Sequence, residues 1–288
     1  MAWTQTPGKG LGHSENPHAG HITGGIRGAD TSIYASGTDQ LHPLGTRRQI
    51  GERVFRYAKF GGTVAASRLC AVDASVGHEP AAAGILTNSA GTATDISASG
   101  VTQLFLTTSN FDSDDVVNAF ADGYLNVTLA GSVHNYIYDI ESSTVGSGVT
   151  ANMIEFNLYA STPTQTAIDS EDTISVHANL YANSVVYTDG TDDVVQGVSQ
   201  AIQASGDYGW LQTWGPACVF TEADTAIKAG YIATGSVDNA GGVMQLGDAN
   251  IQSEEDIGST LTAHPIVGYF MEVVADNAYG VVYLQIAP

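Results

Sequence analysis

Cations are what this chain has least of. Only nine of its 288 residues are Lys or Arg, against thirty Asp or Glu, for a formal charge of −21. So acidic a surface repels phosphates, which argues against nucleic acid as a partner. Charged residues of either sign reach only 14%, against about 25% in an ordinary globular chain. Long apolar runs are missing too. None approaches the 18 or so residues of a membrane-spanning helix, so no membrane partner is expected. The N-terminus, "MAWTQTPGKGLGHSENPHAG", lacks the apolar stretch of a signal peptide, so synthesis in the cytoplasm without Sec export is expected. Two cysteines, Cys70 and Cys218, are too few for a disulfide framework and are expected to be buried free thiols. No fixed-period repeat is visible, which argues against a solenoid or propeller.

What is present favours strands. Hydrophobic residues make up 43% and glycine occurs 33 times; Thr, Ser, Val, Asn and Ala fill much of the rest. That profile suits strands and turns better than long helices. Short apolar pieces alternate with turn chemistry from residue 100 onward. In "MIEFNLYA", Ile154, Phe156 and Leu158 alternate with Glu155, Asn157 and Tyr159, the period of a half-buried strand. "YLNVTL" does the same with Leu125, Val127 and Leu129. Asp-Gly pairs, as in "ADG" and "TDG", tolerate positive φ and mark the turns between strands. One short helix is expected in "SDDVVNAFADG", residues 113–123, from its Ser cap and early acids. The last two apolar runs, 264–276 and 279–288, read as a closing hairpin. The expected fold is therefore all-β: an extended basic N-terminal arm over residues 1–70, then an antiparallel β-sandwich or barrel body of two β modules, 71–190 and 191–288, with little helix.

The arm is inferred from charge and texture. Residues 1–70 carry a net +4 and residues 71–288 a net −25, the latter with Lys228 as sole cation. Glycine or proline fills twelve of the first 45 positions, and large apolar side chains there are few. Such a segment buries too little to offset its ordering entropy, so it is expected to lie on an acidic surface of the same chain, a sister copy or another protein. Five of the nine cations fall within "LGTRRQIGERVFRYAKFGGT": Arg47, Arg48, Arg53, Arg56 and Lys59. In "RVFRYAKF" they alternate with Val54, Phe55, Tyr57 and Phe60, which predicts a strand with one apolar and one cationic face.

Chemistry has few footholds. Glutamates are scattered, so the facing carboxyl pair of a glycosidase is not indicated, and no motif marks a nucleophile or a phosphate loop. "DSDD" (112–115) and "DGTDD" (189–193) lack the spacing of a calcium loop and read as turn formers. His13, His18 and His21 sit in a Gly/Pro context without a cysteine partner. Neither an enzyme activity nor a metal nor another cofactor is expected. Trp210 and Trp214, four apart on one strand face, suit a core, a subunit contact or a sugar stack.

The stretch "LGTRRQIGERVFRYAKFGGTVAASRL" resembles a segment of tailed-bacteriophage virion proteins, a mostly uncharacterised group encoded near the major capsid gene. "YGWLQTWGPACV" and the ending "IVGYFMEVVADNAYGVVYLQIAP" resemble later landmarks of that group. The resemblance touches both ends of the chain, whereas the acidic middle is similar only in texture. It implies a decoration or cement role on the phage head, with the major capsid protein and further copies of the chain, a trimer among the options, as partners. Combined with the charge pattern, it makes Arg47, Arg48, Arg53, Val54, Phe55, Arg56, Tyr57, Lys59 and Phe60 the expected contact residues. A tail-fibre or adhesion protein binding host glycans through Trp210 and Trp214 is the alternative, and an acidic hydrolase comes third.

Overall fold

The computed structural model describes residues 32–72, 78–79, 85–87, 99–107, 120–130, 135–145, 153–169, 171–188, 194–222, 227–236, 239–246, 265–275 and 277–288. Among them there is no helix. The molecule is all-β, built of two curled antiparallel sheets. The chain begins the first sheet with β1 (Arg47–Ile50), β2 (Arg53–Lys59) and β3 (Leu69–Val72). It then leaves to build a complete seven-stranded sheet: β4 (His78–Glu79), β5 (Ile85–Thr87), β6 (Gln103–Thr107), β7 (Tyr124–Thr128), β8 (Asn135–Val145), β9 (Met153–Leu158) and β10 (Thr173–His177). It returns through β11 (Ser184–Val186), which pairs with β3 so that Ser184 stands opposite Val72. β12 (Val195–Ser199), β13 (Tyr208–Phe220), β14 (Ile232–Gly235), β15 (Val243–Gln245), β16 (Ile266–Phe270) and β17 (Tyr279–Gln285) complete the ten-stranded sheet.

This topology corrects the expected boundaries. The middle of the chain is a module inserted between two neighbouring strands of the first sheet, so the divisions at 70 and 190 are not those of the fold. Each sheet has its own core. Leu104, Leu125, Val127, Ile140, Phe156 and Ile174 pack together in the inserted module, and Leu69, Val198, Val219, Phe270, Val282 and Leu284 in the first. The alternating faces follow the sequence: Ile154, Phe156 and Leu158 are buried, while Glu155, Asn157 and Tyr159 are only partly covered. β16 and β17 pair as the closing hairpin. Of the expected helix, residues 113–119 lie outside the described residues and 120–122 form a turn.

The arm is corrected as well. Residues 1–31 lie outside the described residues, but residues 32–70 belong to the first sheet and its covering layer. β2 lies between β1 and β13, with Val54–Lys59 against Trp214 back to Tyr208 and a bulge between Gln212 and Trp214. Both of its faces are buried. Phe55 and Tyr57 pack with Ile33 and Trp210 beneath residues 32–46; Ala58 and Phe60 pack with Val64, Cys70 and Leu211 on the other side. Removal of residues 1–60 would therefore take two strands out of the sheet and fully buried Phe55 and Phe60 out of the core, rather than leave a folded body.

One aspartate ties the covering segment to the inserted module. Asp122 sits in the "ADG" turn at φ 60, a left-handed conformation that Asp adopts more readily than most residues. Its carboxylate accepts the Leu44 amide at 3.0 Å, the Gln40 side-chain amide at 3.1 Å and the Tyr159 hydroxyl at 2.7 Å. The Asn179 side chain donates to the Asp122 carbonyl at 2.6 Å. These bonds hold a glycine- and proline-rich stretch in place with little apolar burial of its own. Burial, and then the Asp122 carboxylate, push the Tyr159 hydroxyl well above its ordinary pKa.

Candidate partner-binding surface

The five clustered cations all lie on β1 and β2 and make contacts to groups of their own chain. Arg53 donates through Nε and Nη2 to Gln212 Oε1 at 3.0 and 2.7 Å, and through Nη2 to Gln200 Oε1 at 2.8 Å. Its guanidinium also lies 4.9 Å from the centre of the Phe55 ring. Gln212 is fully buried and uses its own amide to cap the Trp214, Gly215 and Pro216 carbonyls. Arg56 donates to the Gly45 carbonyl at 3.2 Å and to Pro288 O at 3.0 Å. Arg48 lies over Trp210 at 5.7 Å and Lys59 over Tyr208 at 5.9 Å, while Arg47 donates to Gln49 Oε1 at 3.2 Å.

Two expectations fail here for physical reasons. First, β2 has no cationic face opposite an apolar one. Arg53 and Lys59 share a face with Phe55 and Tyr57, whereas Arg56 shares the other with Val54 and Ala58. Second, Val54, Phe55, Tyr57 and Phe60 are each at most 3% exposed, so they are core residues and not contacts for another protein. What lies beneath residues 32–60 is aromatic and amide surface, which charge counting could not reveal.

The part of this hairpin open to a partner is its rim. Among the described residues β1 pairs only with β2, so its second edge offers backbone donors and acceptors. Gln49, Ile50, Gly51 and Glu52 form an exposed tip, and Arg47 and Arg48 are half-buried beside it. Glu52 is the one acid between Leu41 and Lys59.

The two tryptophans separate. Their spacing of four predicts one shared face, but a bulge between Gln212 and Trp214 breaks the alternation: Trp210 stands opposite Tyr57 and Trp214 opposite Val54, on the other face of β2. Trp210 is 2% exposed beneath residues 32–46. His42, Tyr57 and Tyr208 surround it with ring centres 5.0–6.1 Å apart. Trp210 is thus closed to a sugar. Trp214 lies beyond the cover, half-buried, with its ring edge-on to Tyr283 at 6.2 Å.

Both cysteines are free, but only Cys70 is buried. Burial pushes its thiol up to about 12, so it stays protonated and inert; Cys218 is exposed. The calcium-like runs 112–115 and 189–193, and His13, His18 and His21, lie outside the described residues. Comparison with family models, with curated proteins and with solved structures found no match for this chain.

Proposed function

We propose that the protein is a structural, non-catalytic component of a tailed-phage virion that binds the assembled head, with the free edge of β1 as its contact. The observation that carries this reading is the concentration of positive charge around an unpaired sheet edge on an otherwise acidic chain. Five of nine cations lie on β1 and β2, and among the described residues β1 has one strand neighbour. An open edge recruits a further strand through backbone hydrogen bonds. Arg47 and Arg48 at that edge select a strand or loop with acidic side chains, which would come from the major capsid protein. The resemblance of residues 44–69 to phage virion proteins supports the same role. The acidic remainder of the surface faces solvent and keeps coated particles apart. Many weak edges engaged together on one shell give retention that a single contact does not.

The test uses particles stripped of this protein and then recoated. Arg47→Glu/Arg48→Glu should reduce coating at least about tenfold at low salt, since like charges then face each other. The wild-type protein should lose occupancy as salt shortens the Debye length from about 10 Å toward about 3 Å. The double variant should keep a wild-type melting curve to within about 1 kcal/mol, because both side chains are half-buried and contacts such as the exposed Arg47–Gln49 hydrogen bond and the Arg48–Trp210 approach are weak. Undiminished coating by this folded variant would defeat the proposal.

A further inference from the structure

The bulge after Gln212 turns Trp214, Pro216, Cys218 and Phe220 of β13 to the face opposite Trp210, and among the described residues no segment lies over them. Pro216 of β13, Tyr283 of β17, Tyr269 of β16 and Ile232 of β14 stand in register as one row across four strands. Cys218 and Val281 form the next row, and Phe220 and Tyr279 a third. Tyr279 is 57% exposed, Ile232 42% and Tyr269 38%. No charged side chain stands in these rows, although the chain carries −21. Contiguous apolar surface of this kind marks a contact site.

We infer that a second copy of this chain packs on this face. The first reason is the rim, which carries both signs. The Arg68 guanidinium lies 3.8 Å over the Phe220 ring and Lys228 lies 5.7 Å over Tyr231 beside β14, while the Glu272 carboxylate accepts the Val281 amide at 2.8 Å. Lys228 is the sole cation after Arg68. A rim of mixed sign can complement itself about a two-fold axis, where each patch meets its own copy, whereas an acidic or basic partner calls for one sign. The second reason is mutual repulsion. Two chains at −21 can approach only where charge is absent, and this face supplies such a surface.

The rings also argue against a sugar. Tyr269 and Tyr283 stack on each other at 5.2 Å with planes 8° apart. One face of each ring is spent on the other, which leaves less ring surface for a sugar to stack on and suits a protein contact. The patch has fewer than half of the roughly 20–30 residues a stable interface uses on each side. The pairing is therefore weak and concentration-dependent, and it stands apart from the binding role proposed for β1.

The chain supplies its own reporter, because Cys218 lies within the face and Cys70 is buried and inert. Sedimentation from about 1 µM to about 500 µM should show a monomer passing to a dimer, a range suited to micromolar affinity. Maleimide labelling of Cys218 should slow several-fold over the same range. Tyr269→Glu, and separately Ile232→Glu on a different strand, should leave Cys70 unlabelled, keep Cys218 at its dilute rate and hold the protein monomeric. A monomer at all concentrations would overturn the inference and leave the face to another occupant. A dimer in which Cys218 stays fully reactive would overturn it equally, since the copies would then meet elsewhere.

Discussion

The two halves of β13 both carry aromatic side chains, but the bulge after Gln212 sends them to opposite faces, where they meet different fates. Tyr208 and Trp210 in the first half lie beneath residues 32–46, whereas Trp214, Cys218 and Phe220 in the second half have no described segment over them. The contrast teaches that an aromatic on this sheet does not declare whether it is core or surface. What decides is the bulge that sets the face and, over Trp210, a distant segment held by polar anchors: Asp122 on Leu44 and Gln40, and the Gly37–Tyr208 bridge. In the covered half, apolar contact supports stability. In the bare half it is available for binding.

The largest expected effect breaks the comparison outright. Phe55→Ala, beneath the cover and fully buried, should cost about 3–5 kcal/mol. Tyr269→Ala, on the open face, should cost only about 1 kcal/mol in dilute protein, from the lost stack on Tyr283. Chemical denaturation of the two variants side by side checks this; equal losses would mean the bare half is also packed within one chain.

A smaller effect concerns alkali. Burial raises the Tyr57 and Tyr181 hydroxyls above their ordinary value of 10.0, as it does Tyr159. A group whose folded pKa is raised binds its proton more tightly when folded. Its stabilisation is complete below pH 10 and is lost as pH climbs through the folded value. Stability should thus be flat with respect to these groups below pH 10 and fall above it, more gently in Tyr57→Phe. A variant slope as steep as the parent's would remove Tyr57 from the account.

Where the sequence was legible, one side of a strand faced core and the other solvent. Ile154, Phe156 and Leu158 announce β9 because Glu155 and Asn157 stay wet. β16 and β17 were legible as a hairpin for a related reason, since two apolar runs flank a polar turn. The β1–β2 region was not. β2 is buried on both faces, and the groups that accommodate its cations, Gln200, Gln212 and Pro288, lie about 150 residues or more downstream. The stretch 32–46 was unreadable for a different reason. It is ordered by backbone bonds to Tyr57 and Tyr208 and by side-chain bonds to Asp122, Tyr57 and Asp207, most of them distant in sequence, which composition cannot register. The bare face did leave a trace, since Tyr279, Val281 and Tyr283 repeat at period two opposite a second apolar set, Val282 and Leu284. A strand apolar on both sides signals either double burial or a contact.

The central claim is that the basic N-terminal region is structural core with a usable edge, not a loose strap. Amide hydrogen exchange on the full-length protein tests it most directly. The account predicts that amides of Val54–Lys59 exchange as slowly as those of the β13 strand they pair with, while the tip Ile50–Glu52 exchanges fast. Exchange of Val54–Lys59 at the rate of an unstructured peptide, with β13 still protected, would contradict it.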